Sequence, residues 1–253
     1  MPARPIPKTE ASLVEVFSSI QGEGILVGKR QIFVRFAQCN LNCAYCDTDF
    51  SLSESCRIED APGSGVFRNA ENPVSLEVIS SILSHWVHLL PGVHHSISLT
   101  GGEPLVQGNV LEEWLPVLRE IAPLYLETNG TLPDKLAPVL PYLDWVSMDI
   151  KLASLTHVPT PWEAHEKFLS LMKTSKGQAK IVVGEMTLLE EIEQAATLVH
   201  KTAPGISLIL QPVTVDGKIT LSGRALLDMQ TLASKCHEDV RVIPQTHRFL
   251  SVL

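Results

Sequence analysis

Two short runs near the start of the chain, "SLVEVF" and "QIFVRFA", mix β-branched and aromatic residues with charged ones and read as strands. Further on, "NPVSLEVISSILSHWVHLL" sets Ile79, Ile82, Leu83, Trp86 and Leu90 at helical spacing, with Pro73 near its start and Gly92 beyond its end. From there the two periodicities alternate. Strand "SISLTGGEP" is followed by helix "VLEEWLPVLREIA", strand "LYLETNG", a helix around "PDKLAPVLPYL" and strand "WVSMDIK". The series continues with helix "PWEAHEKFLSLMKTS", strand "QAKIVVGE", helix "LLEEIEQAATLVHKTA", strand "ISLILQPV", helix "SGRALLDMQTLASKCHED" and strand "VRVIPQTH". Strands alternating with helices of roughly ten or more residues predict βαβ units and parallel strands. About six such units predict an α/β fold of the partial (β/α)6 barrel type, open where the full fold has eight.

A length of 253 residues suits one large core, so residues 1–253 are read as a single domain. It contains a cysteine-rich loop at 39–51 and a polar, glycine-containing segment at 52–72, to which the sequence assigns no task. With 45% hydrophobic and 19% charged residues the composition is globular. A net charge of −8 lacks the broad positive field of a nucleic-acid binder, while leaving room for a local anion pocket. The opening "MPARPIPKTEAS" carries no apolar core of a signal peptide, and no stretch approaches the roughly 18 apolar residues of a membrane span. The chain is therefore expected in the cytoplasm, without a membrane or nucleic-acid partner. In that reducing compartment five cysteines, three of them clustered, argue for metal or redox chemistry over a disulfide framework.

The unusual residues fall at strand ends. The cysteine loop, "TGGEP", "ETNG", "SMDIK", "QPV" and "QTH" each lie at or just after the C-terminal end of a predicted strand. In parallel α/β architecture those ends share the rim where ligands bind. Cys39, Cys43 and Cys46 form C-x3-C-x2-C. A structural zinc ion wants four closed ligands, so the fourth would come from Cys56, Cys236 or a histidine. A 4Fe-4S cluster held by three thiolates instead leaves one iron open to a substrate or cofactor.

This spacing, followed by "TGGEP" at the next strand, resembles the radical S-adenosylmethionine (SAM) superfamily. The resemblance implies that Cys39, Cys43 and Cys46 hold a 4Fe-4S cluster whose open iron chelates SAM, and that cleavage of SAM gives a 5'-deoxyadenosyl radical. It places Tyr45, Cys46 and Asp47 against the cofactor and Gly101, Gly102 and Glu103 at its amino group. Within the superfamily, "EVFSSIQGEG", "FVRFAQCNLNCAYCDT", "TGGEP", "ETNG" and "PQTHRFL" are similar to the 7-carboxy-7-deazaguanine synthase family, from about Leu13 onward. That family implies ring contraction of 6-carboxy-5,6,7,8-tetrahydropterin to 7-carboxy-7-deazaguanine with loss of ammonia, on the way to queuosine and other 7-deazapurines. The resemblance further implies that SAM is regenerated and that the enzyme is a carbon–nitrogen lyase.

By motif position the resemblance gives Ile20, Gln21, Gly22 and Glu23 to the pterin edge, Arg35 to its carboxylate and Thr100 to the pocket wall. It gives Thr48 to Mg²⁺, and Ser147, Met148 and Asp149 to the ribose or adenine of SAM, although many relatives carry a segment closer to "SPK" at this point. His247 and Leu253 are expected near substrate, although many relatives end differently after "QTH". An electron donor such as flavodoxin or ferredoxin and a homodimer are implied in the same way.

Blander roles compete with these. Arg35 on a buried strand could form a structural ion pair, and Thr48 could cap a turn. Cys56 and Cys236 are read as spare thiols, the latter as a small hydrophobe in a helix. His85, His88, His200 and His237 sit on predicted helices and His94 and His95 in a turn, leaving His247 as the histidine on the rim. A glycyl-radical activating protein is the alternative inside the superfamily, and a non-catalytic iron-sulfur or zinc module the alternative outside it.

Overall fold

Alternation along the strand at 30–36 sets the plan of the molecule. Ile32, Val34 and Phe36 are fully buried on one face, while Phe33 and Arg35 turn to the other and line a cavity. The computed structural model describes residues 9–46 and 49–252. In chain order the elements are β1 (Glu10–Ala11), β2 (Leu13–Ile20), β3 (Arg30–Phe36), β4 (Ser55–Glu59), β5 (Phe67–Glu71), β6 (Val74–Ser75), α1 (Leu76–Leu89), β7 (Ser96–Gly101), α2 (Gly108–Leu118), β8 (Leu124–Thr128) and α3 (Pro133–Val139). Then come β9 (Trp145–Asp149), α4 (Ala153–Thr156), α5 (Trp162–Met172), β10 (Gly177–Val183), α6 (Leu189–Thr202), β11 (Ser207–Pro212), β12 (Thr214–Val215), β13 (Lys218–Ile219), α7 (Gly223–Ser234), β14 (Val240–Val242) and α8 (His247–Leu250).

Ten strands form one sheet in the order β14-β11-β10-β9-β8-β7-β3-β2-β4-β5. From β3 to β14 every neighbouring pair is parallel, as the strand–helix alternation requires. The two ends, β14 and β5, do not pair, so the sheet is an open, partial barrel. Helices cover its outer face with apolar stripes: Ile79, Leu83 and Trp86 from α1, Leu111, Trp114, Leu115 and Leu118 from α2, and Ile192, Ala195, Ala196 and Val199 from α6. Ser75 caps α1 by accepting from the Val78 amide, and Ser222 caps α7 by accepting from Ala225. No helix among the described residues is long and apolar enough to cross a membrane.

One unassigned segment gains a structure, and two expectations, the helical placements of Cys236 and His237, change. The segment 52–72 is a hairpin of β4 and β5, with β4 running parallel to β2, so it widens the sheet instead of looping past it. Cys56 and Ile58 point from β4 into the core, and the Glu59 carboxylate accepts from the amides of Ser18, Gly63 and Gly65, which closes the turn. Helix α7 stops at Ser234, leaving Cys236 and His237 beyond it. His237 is buried there and its Nε2 lies 2.8 Å from the Ile206 carbonyl oxygen, bonding the chain back toward β11.

Trp114 is fully buried, with its ring centroid 6.1 Å from that of Phe36 across the helix–sheet interface. Trp114→Ala should lower the midpoint of urea unfolding at unchanged slope, a loss of about 3–5 kcal/mol from the vacated volume.

Candidate active site

The polar face of the sheet encloses a cavity of about 680 Å³, within the usual range for a small-molecule site. Among the described residues five acids (Glu15, Glu23, Asp49, Glu127, Asp149) and five bases (Arg35, Arg57, Lys151, Lys180, Arg248) line it. A chain of net charge −8 thus keeps a balanced cavity, which an anionic ligand can enter.

The cysteine loop opens onto one side. Cys39, Cys43 and Cys46 form no disulfide among the described residues, and all three line the cavity. The Cys46 amide donates to the Cys43 carbonyl at 3.1 Å, folding the C-x2-C portion into a turn. Burial pushes the Cys39 and Cys43 thiols up. Among the described residues no three His, Cys, Asp or Glu side chains converge as a single metal ion demands. A cubane poses no such demand, because each thiolate meets a different iron. The donor set, three thiols from one loop facing a cavity, fits a 4Fe-4S cluster with one open corner.

The "TGGEP" segment serves this loop by close backbone approach. A Cβ on Gly101, whose φ is +121°, would lie 2.2 Å from the Phe36 carbonyl oxygen. One on Gly102 would lie 2.0 Å from that of Gln38. The absence of side chains lets the Gly102 and Glu103 amides donate to the Phe36 and Gln38 carbonyls. Gly101 and Gly102 line the cavity, but their tightest contacts are with the cluster loop's own stem. Glu103 does not face the cavity. It is fully buried, and its carboxylate accepts from the Leu105 amide at 3.0 Å, the Thr128 hydroxyl at 2.8 Å and the Asn129 amide at 2.6 Å. Burial, against those three donors, moves its pKa up to about 7. The side chain expected at an ammonium group thus ties the β7 and β8 ends together.

The "SMDIK" strand divides by parity. Asp149 lines the cavity, whereas Met148 is buried on the outer face, where its atoms would meet a Cβ placed on Gly130. Ser147 turns inward but lies beneath the cavity, its hydroxyl accepting from Gln178 at 2.9 Å. Neither Met148 nor Ser147 presents a side chain to a ligand. Lys151 Nζ lies 2.9 Å from Asp149 Oδ2 and 5.6 Å from the centre of the Tyr45 ring, linking this strand end to the cluster loop.

Ile20, Gln21, Gly22, Glu23, Arg35, Thr100, Tyr45 and His247 all line the cavity. Gln21 donates to Gln31 at 2.9 Å and to Glu127 at 2.7 Å, and Thr100 donates to the other Glu127 oxygen at 2.9 Å. The "PQTH" segment closes over "QGEG": Gln245 donates to Glu23 at 2.8 Å, and the Thr246 amide donates to the Gly22 carbonyl at 2.8 Å. A Cβ on Gly22 would lie 2.2 Å from the His247 ring, so glycine makes room for that histidine. Arg35 Nε lies 3.0 Å from Glu15, an ion pair without directed hydrogen-bond geometry. Asp47, Thr48 and Leu253 lie outside the described residues.

Several site groups carry a weaker signal in the sequence. Glu127 belongs to "ETNG", and burial together with the charge of Glu23 pushes its pKa up. Lys180 and Glu15 interrupt the apolar strands "QAKIVV" and "LVEVF" at inward positions, the one local sign of a buried charge. Lys180 pairs with Glu23 and lies 3.3 Å from Asp149. His247 is the histidine that lines the cavity among the described residues, and His165 supports the rim without reaching the cavity. His165 is fully buried on α5, its Nδ1 is 3.2 Å from the Gly130 carbonyl oxygen, and its Nε2 accepts from the Lys151 amide at 3.4 Å, so it braces the rim from behind. Burial holds its pKa down to about 4, which keeps the ring neutral.

Residues 33–200 match the model of the radical SAM superfamily. The chain is 47% identical to a 7-carboxy-7-deazaguanine synthase of Geobacter sulfurreducens, over 97% of this chain and 99% of that one. It is 35% identical to one of Archaeoglobus fulgidus, over 96% and 99%. Among solved structures the crystal structure of QueE from Escherichia coli aligns with a TM-score of 0.60 at 21% identity, covering 94% of this chain and 95% of that one. Streptococcus suis SuiB bound to S-adenosylmethionine aligns with a TM-score of 0.54 at 15% identity, over 86% and 52%.

Two outcomes test this geometry. Gly102→Ala forces the cluster loop away from β7 at a cost of about 1–3 kcal/mol; the variant should keep its far-ultraviolet circular dichroism yet bind less iron and sulfide per chain. Burial alone would raise the Glu23 pKa, but the charge and hydrogen bond of Lys180 bring it from 4.5 down to about 2. A lowered folded-state pKa stabilises the protein above about 4.5, and that contribution is lost as pH falls toward about 2. Lys180→Met should therefore unfold at lower temperature near neutral pH and lose this acid-side dependence in thermal melts.

Proposed function

Since the chain belongs to the radical SAM superfamily and, within it, to the 7-carboxy-7-deazaguanine synthases, we propose that its cavity converts 6-carboxy-5,6,7,8-tetrahydropterin to 7-carboxy-7-deazaguanine and ammonia. The observation that carries this reading is the meeting, in one small-molecule cavity, of a three-thiol loop with an arginine, carboxylates and amides able to hold a carboxylated heterocycle. In this reading the enzyme is a carbon–nitrogen lyase, because the overall change removes one nitrogen as ammonia and leaves the carboxylate in place.

The protein's own groups divide the work. Cys39, Cys43 and Cys46 hold the cluster, and Tyr45 with Asp47 flanks the cofactor. The cluster and SAM, when bound, would supply the radical chemistry at this end of the cavity. Arg35 receives the substrate carboxylate, for which its planar fork is suited. Gln21, Glu23, Glu127 and Thr100 face the polar edge of the ring. Gln211 adds a buried Oε1 without a partner among the described residues, an acceptor placed for a ring amino or N–H group. Ile20 and Gly22 form the wall against which His247 packs. Glu103, Ser147 and Met148 act from beneath the site, holding strand ends in place; Asp149 and Lys151 border the cofactor side.

The same reading takes Mg²⁺ beside the substrate carboxylate with Thr48 as a ligand, since this cation prefers oxygen donors and keeps open positions. Leu253 falls near substrate. A small electron-transfer protein of the flavodoxin or ferredoxin kind is the reductant, and the working form is a homodimer.

The test is anaerobic reconstitution with iron and sulfide, then reductant, SAM, Mg²⁺ and the carboxytetrahydropterin, with mass detection of products. Deazaguanine and ammonia should form in equal amounts while SAM persists. Steady consumption of SAM without that product would refute the substrate assignment, and Cys43→Ala should eliminate both.

A further inference from the structure

Arg57 sits on the hairpin that the sequence left without a task, and it reaches the cavity. Three side chains stand abreast on neighbouring strands: Arg35 of β3 is opposite Glu15 of β2, and Glu15 is opposite Arg57 of β4. Glu15 Oε1 lies 3.0 Å from Arg35 Nε, and its Oε2 is in close contact with Arg57 Nη2. The Glu15 side chain is only 10% exposed, whereas those of Arg35 and Arg57 are 24% and 54% exposed. One buried carboxylate is thus shared between two cations, leaving a unit of positive charge at the cavity wall.

Each cation is also seated on an aromatic ring. The Arg35 guanidinium lies 5.5 Å from the Phe17 centroid, and Arg57 lies 4.7 Å from that of Phe67 on β5. Phe17 stacks on Phe33 at 5.0 Å, so the Arg35 side rests on a rigid base. Apart from Glu15 and this ring, Arg35 meets no partner among the described residues; its terminal nitrogens are left for a ligand. Cross-strand neighbours of opposite charge attract one another, and a guanidinium that must bind bidentately is sensitive to its rotation.

We propose that Arg57 is a specificity-determining positioning residue: by occupying the far oxygen of Glu15 it holds the near oxygen on Arg35 and so aims Arg35 at the substrate carboxylate. Without Arg57, Glu15 carries an unshared negative charge beside that carboxylate and competes with it for Arg35. The hairpin β4–β5 thereby acts as part of the recognition apparatus. This inference rests on the carboxylated substrate named above.

The experiment compares the whole reconstituted chain with Arg57→Ala and Arg57→Lys, measuring KM and kcat for 6-carboxytetrahydropterin and equilibrium binding of that compound and of tetrahydropterin lacking the carboxylate. Arg57→Ala should raise KM about tenfold with kcat within about threefold of the parent. It should weaken the carboxylated ligand alone, and leave SAM binding and iron content unchanged. Arg57→Lys should recover most of the loss, and in Arg35→Ala the further change Arg57→Ala should add less than about twofold, the mark of coupled sites. If the parent prefers the carboxylated ligand and Arg57→Ala keeps that preference in full, the inference is wrong while the functional reading survives. A parent that binds neither pterin overturns both.

Discussion

Charge compensation on the inner face of the sheet governs this structure. Parallel sheets are usually covered on both faces by apolar side chains, but here the inward positions of β2, β3, β8, β9 and β10 carry Glu15, Arg35, Glu127, Asp149 and Lys180. An ionised group withdrawn from water costs several kcal/mol unless it is matched, so each of these can exist only with its neighbours. Lys180 answers Glu23 and Asp149 at once, and Asp149 answers Lys151 in turn. Glu127, whose side-chain hydrogen bonds come from the neutral Gln21 and Thr100, is a member whose pKa burial and the charge of Glu23 drive up. Because these side chains bind one another across the gap instead of interdigitating as Val, Ile and Leu would, the concave face stays open as a cavity.

A second constraint acts at the rim. The cluster loop leaves β3 and must double back beside β7, whose final residues therefore come within hydrogen-bonding distance of its stem. Gly101 and Gly102 satisfy that constraint sterically, and Glu103 extends it by gathering amides from its own turn and from the β8 end. Asn129, whose amide feeds Glu103, in turn donates its side chain to Asn40 at 2.9 Å. Cluster loop, "TGGEP" and "ETNG" are thus one bonded unit, although they span about ninety residues of sequence.

Much of this was readable from the residues alone. Strand–helix alternation from β7 onward fixed the parallel order, since each helix carries a clear apolar stripe, and the strand-end motifs converge on one cavity. The hairpin is faint in the sequence for a physical reason: β5 is an edge strand, "FRNAE", with mostly exposed side chains, and β4 alternates over only two apolar residues, Cys56 and Ile58, too few to stand out as a strand. Glu103 and Met148 illustrate a different limit. Motif position brings a residue to the site, but only strand parity and local donors decide whether its side chain faces the ligand. His165 is hidden in the same way, being a helix residue whose spacing looks like packing and whose ring nevertheless reaches two rim segments.

The two constraints have a joint consequence for how the site assembles. "QGEG" follows β2, Lys180 lies on β10 and "PQTH" follows β14, yet Glu23 bonds both Lys180 and Gln245. A carboxylate buried between such distant partners is stable only when all three segments are in place, because removing any one leaves charge or hydrogen-bonding capacity unmet. The cavity therefore forms cooperatively, as a product of the complete sheet, and no single motif within it is an independent module. The hairpin at the sheet edge belongs to the same network: its Arg57 lines the cavity and shares the Glu15 carboxylate with Arg35, so the charge presented at this wall depends on β2, β3 and β4 together.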